Sequence, residues 1–300
     1  MTQPPAPHAG GAQTAARRNR EGYTIRQLAF YGKGGIGKST TAANVSAALA
    51  ELGHRVMQVG CDPKHDSTRN LVNGRWLPTI LDVMRRTDAP AIRLDDVAFA
   101  GYRGVMCLEV GGPEPGIGCG GRGIIAAIEL LEDMGAFTQL DPGFVIYDVL
   151  GDVVCGGFAM PLREGYAEET YIVTSGELMA LYAANNICRG IKRFSGRSRT
   201  RLAGIIGNGR RVQGEEAVVG EFASRIGSHL MMYLPQDDVV RSSELKGQTV
   251  VQHAPDSPQA ARYRLLAERI VANQRFVVPE PAGLEELVSL VERASAAAAG

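Results

Sequence analysis

A glycine-rich stretch near the amino terminus has the residue types and the spacing of a phosphate-binding loop. The stretch is GKGGIGKST, from Gly32 to Thr40, and it follows a predicted strand and precedes a predicted helix. Glycines allow backbone N–H groups to converge on phosphate oxygens, and the helix N-terminus adds positive potential. Lys38 can then reach the β and γ phosphates of a nucleotide, and the Ser39 hydroxyl can bind Mg²⁺. The sequence therefore predicts a nucleotide site in preference to a purely structural glycine-rich turn.

Four aspartates are predicted to lie at the carboxyl ends of strands, where ligands bind in open α/β sheets. Asp62 and Asp66 belong to VGCDPKHDST, and Asp148 and Asp152 belong to FVIYDVLGD, each after a buried strand. Carboxylates in this position can act on Mg²⁺ or on an attacking water. One such aspartate alone could be a helix cap or a loop acid. Four of them beside a phosphate loop favour a site that hydrolyses a nucleotide.

Two of the five cysteines lie in glycine-rich stretches. Cys119 belongs to GGPEPGIGCGGRG, and Cys155 belongs to GDVVCGG, three residues after Asp152. Glycine lets backbone N–H groups approach sulfur, where they stabilise thiolates and reduced iron–sulfur clusters. A 4Fe-4S cluster needs four thiolates, so two chains related by a two-fold axis would supply them. The residues alone leave two alternatives open, which are a cluster that bridges a homodimer and two structural thiols.

The other three cysteines are Cys61, Cys107 and Cys188, and they lie in or beside apolar strand and helix patterns. A free cysteine in such a position usually acts as a small hydrophobe. An odd number of scattered cysteines fits a reducing cytoplasm better than a secreted disulfide framework. The cytoplasm is therefore the expected location.

The elements that must position these residues alternate along the chain. Short apolar runs of strand type are QLAFY, RVMQVG, FVIYDVL, TYIVTS, RLAGIIGN and HLMMYLP, and helical patterns near 38–52, 123–134, 177–194, 213–226 and 257–273 lie between them. That alternation predicts parallel strands joined by crossover helices. We expect an α/β fold with a doubly wound, mostly parallel sheet in a single domain over 25–296.

Composition excludes several broad classes. The chain has 300 residues, of which 45% are hydrophobic, and it carries 32 Lys and Arg against 32 Asp and Glu. This balance gives no general attraction to nucleic acid or to an anionic membrane, and no run is long enough for a membrane span. Residues 1–24 hold too few apolar side chains to offset the cost of ordering, so a disordered tail is expected there. A frayed tail is expected over 297–300.

Five long motifs together resemble the nitrogenase iron protein family, whose members are ATP-dependent reductases. These motifs are YGKGGIGKSTT, VGCDPK with DST, GGPEPGIGCGGRG, YDVLGDVVCGGFAMP and SGELMALYAANNI, and the similarity extends from about Arg26 to Val288. The second lysine of the phosphate loop, Lys33, resembles that of deviant Walker A proteins. In those proteins it reaches the nucleotide of the opposite subunit in a face-to-face dimer.

The resemblance implies a P-loop NTPase fold, a homodimer, MgATP and one bridging 4Fe-4S cluster with Cys119 and Cys155 as ligands. It assigns catalytic roles to Lys33, Asp62 and Asp152, the last orienting or deprotonating the attacking water. Arg122 would lie in the surface that docks on a catalytic heterotetramer, and in some relatives this arginine is ADP-ribosylated. The residues implied at the nucleotide are Gly32, Lys33, Gly34, Gly35, Ile36, Gly37, Lys38, Ser39, Thr40, Asp66, Asp148, Asn208, Gln259 and Tyr263, with Ser39 on Mg²⁺.

Some residues depart from the family pattern. His65 stands where a small residue is usual, and KHDST is more similar to the iron protein of light-independent protochlorophyllide reductase. YLPQDD replaces the usual PRDN, so Gln236 stands where an arginine is expected near the nucleotide. The mixture suggests a reductase outside nitrogen fixation, and the component that serves methylthio-alkane reduction is the leading candidate. A true nitrogenase and a protochlorophyllide-type reductase are the alternatives, and a ferredoxin or flavodoxin would be the donor.

Two functions of other classes compete with a reductase. A partition or division-site ATPase shares the deviant Walker A loop but needs a basic DNA-binding face or an amphipathic membrane helix. The terminal LEELVSLVERASAAAAG is acidic and has no lysine-rich side. A cluster scaffold usually presents a C-x-x-C pair, which this sequence does not contain. Neither nucleic acid nor a membrane is expected as a partner.

Overall fold

A computed structural model describes residues 24–112, 120–149, 151 and 166–299, without the side chains of residues 89, 120–122 and 294–299. Across these residues the chain forms one eight-stranded sheet in the order β3-β4-β2-β5-β1-β6-β7-β8. All neighbours are parallel except β3 and β4. The strands are β1 (Arg26–Tyr31), β2 (Val56–Cys61), β3 (Phe99–Ala100), β4 (Met106–Glu109), β5 (Phe144–Val149), β6 (Glu169–Thr174), β7 (Arg201–Asn208) and β8 (Leu230–Leu234).

Helices connect the parallel strands and cover both faces of the sheet. In the described parts of the chain they are α1 (Lys38–Glu51), α2 (Ile80–Arg86), α3 (Gly120–Asp133), α4 (Ala136–Gln139), α5 (Leu178–Phe194), α6 (Glu215–Arg225), α7 (Asp238–Leu245), α8 (Val250–His253), α9 (Pro258–Ala272) and α10 (Leu284–Ala299). Single 3-10 turns occur at Ala89–Ala91, Leu94–Asp96 and Tyr102–Gly104. None of these helices is long and apolar enough to cross a membrane.

Each central strand is apolar on both faces because each face packs against helices. In β1, Ala29 and Tyr31 belong to one hydrophobic core, while Leu28 and Phe30 belong to the core on the opposite face. Helix α1 packs in the second core and α5 in the first. This two-sided burial holds β1 rigidly in the middle of the sheet, and the phosphate loop begins at its carboxyl end.

The predicted fold class is confirmed, since the sheet is mostly parallel and flanked by helices. The six strand runs and five helical patterns found in the sequence occur within a few residues of their predicted bounds. The sequence pattern does not predict the edge strands β3 and β4. Strand β4 has only the four residues MCLE, too few for a periodic pattern, and its pairing with β2 is what makes it a strand. The proposed ends of the folded domain stay predictions.

Candidate nucleotide site

The phosphate loop connects β1 to α1 and depends on glycine at its two ends. Gly32 has φ 157° and Gly37 has φ 92°, conformations that side-chain-bearing residues rarely adopt. A Cβ on Gly32 would overlap the carbonyl oxygen of Val173 in β6. Gly37 precedes α1 without any side-chain cap, so the first N–H groups of the helix remain available for a ligand. The loop therefore offers backbone donors at a helix N-terminus, which is an anion site.

Beneath this loop, Lys38 forms a buried ion pair with Asp148. The Lys38 Nζ atom contacts Asp148 Oδ1, and the two residues are 6% and 0% exposed. Asp148 is the penultimate residue of β5, which lies directly beside β1. Its second oxygen, Oδ2, is buried and has no hydrogen-bond partner among the described residues. A buried carboxylate oxygen without a partner is costly, so this one is available to a Mg²⁺-bound water when a nucleotide enters.

The predicted residues largely converge on one cleft of about 630 Å³, a size typical of small-ligand sites. It lies at the carboxyl ends of the central strands, where the strand order changes direction. Those that line it are Lys33, Gly34, Gly35, Gly37, Lys38, Ser39, Thr40, Asp62, Asp66, Asn208 and Tyr263. The Nδ2 of Asn208 donates to the Ile36 carbonyl oxygen at 2.7 Å, so this side chain also braces the loop.

Some predicted residues lie elsewhere. Gln259 is buried in α9 one turn before Tyr263, and a hydrogen bond between these side chains links it to the cleft only indirectly. Gly32 and Ile36 belong to the phosphate loop but do not line the cleft. Gly32 lies against Val173 of β6, and the Ile36 carbonyl oxygen accepts the hydrogen bond from Asn208. Asp152, Cys119 and Cys155 lie outside the described residues, as does the side chain of Arg122 near the start of α3. Their roles stay predictions.

Several residues in the far wall of the cleft are not predicted by the sequence analysis: Arg210, Arg211, Asp237, Asp238 and Glu244. Thr40 Oγ1 donates to Glu244 Oε1 at 2.6 Å, which joins α1 to α7. Arg211 Nη2 lies 2.8 Å from Asp238 Oδ1, and Arg210 donates to the Gly35 carbonyl oxygen. Arg210 and Arg211 follow the carboxyl end of β7, and Asp237 and Asp238 follow that of β8. Polar residues directly after a strand were the signal that could have found them.

A second segment lies directly against the phosphate loop at Gly151, two residues after β5. A Cβ at this position would overlap the Gly32 carbonyl oxygen and lie 2.9 Å from the backbone N of Gly34. Only glycine fits there, because both neighbours are backbone atoms. The phosphate loop is therefore in close backbone contact with a segment that continues along the chain, four residues later, to Cys155.

Three of the five cysteines are structural. Cys61, Cys107 and Cys188 are free and buried, and burial raises the pKa of each thiol. A thiol with a raised pKa in a dry core is a poor metal ligand. The prediction of small hydrophobes is confirmed for these three. Of the five cysteines in the sequence, Cys119 and Cys155 are the two left as candidate cluster ligands, and two per chain fits a cluster shared by two chains.

Fold and cleft together define a nucleotide-binding protein of the P-loop NTPase class. Solved structures agree on the fold. The cell division ATPase MinD of Pyrococcus furiosus has a TM-score of 0.61 at 22% identity, with 82% of this chain and 98% of that chain covered. A ParA family ATPase from Chlorobium tepidum has a TM-score of 0.63 at 22% identity, with 82% and 99% covered. At this identity the likeness concerns the fold alone.

Sequence comparison is more specific. The model of the 4Fe-4S iron sulfur cluster binding proteins, NifH/frxC family, matches residues 26–297. The nitrogenase iron protein of Methanospirillum hungatei is 57% identical over 268 residues, which are 89% of this chain and 95% of that protein. The chain belongs to the NifH/frxC family. It is an iron protein, an ATP-hydrolysing electron-transfer component, as its motifs indicated.

Proposed function

We propose that the chain forms a homodimer that passes electrons, driven by MgATP hydrolysis, to a separate nitrogenase-like catalytic component. The observation that supports this most directly is the contact of Gly151 with Gly32 and Gly34. Through it, the backbone that would hold the phosphates touches the segment that leads to Cys155. A protein that only bound or hydrolysed ATP would have no need of Cys155 on the segment that contacts the phosphate loop.

The described residues suggest how ATP and Mg²⁺ would be bound and how hydrolysis would follow. Loop N–H groups and Lys38 would bind the ATP phosphates, and Lys38 would exchange its contact with Asp148 for the phosphate oxygens. Asp148 would then hold Mg²⁺ through water, and the Ser39 hydroxyl would bind the ion. Asp152 would orient the attacking water, and Lys33 would reach the nucleotide of the other subunit. The exchange of partners at Lys38 makes the buried pair a sensor of the bound phosphate.

The cluster would be held by Cys119 and Cys155 of each of two chains. When bound, it supplies one-electron transfer at a potential that nearby hydrogen bonds and solvent exposure adjust. For ATP to promote docking, the nucleotide must bind the docking-competent arrangement more tightly than the free one. Arg122, near the start of α3, would lie in the docking surface beside the cluster. A ferredoxin or flavodoxin would re-reduce the dimer.

Methylthio-alkane reductase is the first candidate for the catalytic partner, on account of His65 and Gln236. The structure puts Gln236 in the wall of the nucleotide cleft, and His65 has φ 45° and packs edge-on against Trp76. The second candidate is a nitrogenase, because the relative with 57% identity is a nitrogenase iron protein. A protochlorophyllide-type reductase is the third.

The assigned ligands can be tested by iron content. We expect the anaerobically purified dimer to hold about four iron atoms, and Cys119→Ser or Cys155→Ser to lose them, because each removes two of four thiolates. Cys188→Ser is the matched control, since Cys188 is buried in α5 and should leave the iron in place. The measurement is iron per dimer together with the visible spectrum. An iron-free, monomeric wild-type protein would contradict the proposal and favour a partition-type ATPase.

The catalytic partner can be identified by the growth of a deletion strain. We expect a strain that lacks this chain to lose growth on a methylated thioether as sulfur source and to keep growth on N₂. This outcome follows if the chain delivers electrons only to its own catalytic component. Restoration by the wild-type gene is the control. Loss of growth on N₂ alone would assign the chain to a nitrogenase instead.

A further inference from the structure

A buried carboxylate outside the nucleotide cleft has no role in the steps above. Glu109 is the last residue of β4 and is 1% exposed. Its Oε1 accepts two hydrogen bonds from Thr68, one from the backbone N and one from Oγ1, both at 2.6 Å. Its Oε2 is buried without a partner among the described residues. Burial raises the pKa of Glu109 to about 7, although the bonds from Thr68 lower it, so ionising this group has a cost.

Its neighbours are arranged to accommodate this costly group. Gly60 in β2 is paired with Glu109 across the sheet, and a Cβ on Gly60 would overlap Oε2. An apolar residue could fill the same space without an unpaired oxygen. Packing alone therefore does not account for a carboxyl group, whereas its two hydrogen bonds from Thr68 do, because an apolar side chain could accept neither of them.

Thr68 belongs to a segment that lines the nucleotide cleft. It follows Asp66 by two residues, and both Asp62 and Asp66 are in the cleft wall. The same segment touches the chain beyond Glu109 at a second point, because a Cβ on Gly112 would lie 2.6 Å from the Cβ of Pro63. The stretches 62–68 and 109–112 are thus joined at both ends.

The second stretch is also held by its other neighbours. The Val110 N–H donates to the Gly60 carbonyl oxygen at 2.8 Å, and Arg85 Nη2 donates to the Gly112 carbonyl oxygen at 2.6 Å. These bonds hold 109–112 against β2 and α2. Cys119 follows Gly112 by seven residues along the chain.

We propose that Glu109 is a positioning residue that couples the cleft segment 62–68 to the segment that leads to Cys119. Nucleotide binding moves Asp62 and Asp66, Thr68 follows them, and Glu109 passes the displacement to 109–112. Gly151 would connect the nucleotide to Cys155 and Glu109 would connect it to Cys119, so both ligands of each subunit respond together. This inference rests on the proposed function for its purpose, but the coupling itself is a property of the polypeptide.

Hydrogen–deuterium exchange of the dimer with and without MgATP tests the coupling. The variant Glu109→Leu removes the acceptor and keeps the volume, while Glu109→Gln keeps an amide oxygen for Thr68 and serves as the conservative rescue. In the wild type we expect MgATP to change exchange both in 62–68 and in 106–112. Glu109→Leu should keep the change in 62–68 and lose it in 106–112, and Glu109→Gln should restore it.

If Glu109→Leu does not fold, the same contact can be tested at Thr68. Thr68→Val removes the hydroxyl that donates to Glu109 and should lose the response of 106–112, whereas Thr68→Ser keeps the hydroxyl and should retain the response. A merely structural role predicts lower thermal stability with the nucleotide response of 106–112 intact, and that result would overturn the proposal. The proposal would also be overturned if MgATP left hydrogen–deuterium exchange in 106–112 of the wild-type protein unchanged. Because exchange is read from the polypeptide, the outcome is separate from iron content, and an iron-free dimer with intact coupling would reject the proposed function alone.

Discussion

Lys38→Met is expected to destabilise the nucleotide-free protein and to slow ATP hydrolysis sharply. The substitution leaves Asp148 fully buried with neither of its oxygens paired to a cation. Breaking a buried ion pair from one side costs about 3–5 kcal/mol of unfolding free energy. The same change removes the positive charge that stabilises the phosphates during hydrolysis, a loss of about 10²–10³ in turnover. Denaturant unfolding and ATP turnover measure the two effects.

The double variant Lys38→Met/Asp148→Asn separates the effect on stability from the effect on ATP hydrolysis. Replacing the unpaired carboxylate by an amide should recover much of the lost stability, while hydrolysis stays as slow as in Lys38→Met because the lysine is still missing. Lys192→Met is the matched control, since Lys192 forms an exposed ion pair with Glu280 that contributes at most about 1 kcal/mol. If the single variant Lys38→Met were as stable as the wild type, the buried Asp148 carboxylate would not depend on Lys38 for its stability.

Gly151→Ala should weaken nucleotide binding although it adds only one methyl group. The new Cβ would overlap the Gly32 carbonyl oxygen and press on the backbone N of Gly34. Neither backbone atom can move without displacing the loop that holds the phosphates, and such overpacking costs about 1–3 kcal/mol. We expect the MgATP dissociation constant to rise by about tenfold or more. Equilibrium binding and thermal unfolding are the measurements.

Gly196→Ala provides the control, because a Cβ at Gly196 meets nothing within 4 Å. It should match the wild type in both nucleotide affinity and stability. If Gly151→Ala bound MgATP as tightly as the wild type, the phosphate loop would not be in close contact with the segment that leads to Cys155. The proposed route from the nucleotide to that cysteine would then have to be abandoned.

Local patterns in the sequence determined the parts of this protein that act over a few residues. The phosphate loop was recognisable because its glycines, Lys38 and Ser39 are consecutive and act through their own backbone. The central strands were recognisable because burial on both faces makes each a continuous apolar run. Glycine-rich flanks set Cys119 and Cys155 apart from the three cysteines in apolar runs, and their role as cluster ligands stays a prediction. Motif resemblance then identified the family.

Only the tertiary structure decided which distant residues meet. Lys38 and Asp148 are 110 residues apart and become partners because β5 pairs with β1. Glu244 closes the cleft against Thr40 across 204 residues, and Glu109 reaches Thr68 because the short strand β4 pairs with β2. Strand order and register bring these side chains together, and both result from the packing of the whole sheet. No window of a few residues carries that information, so the partners of these charges could not be found from the sequence alone.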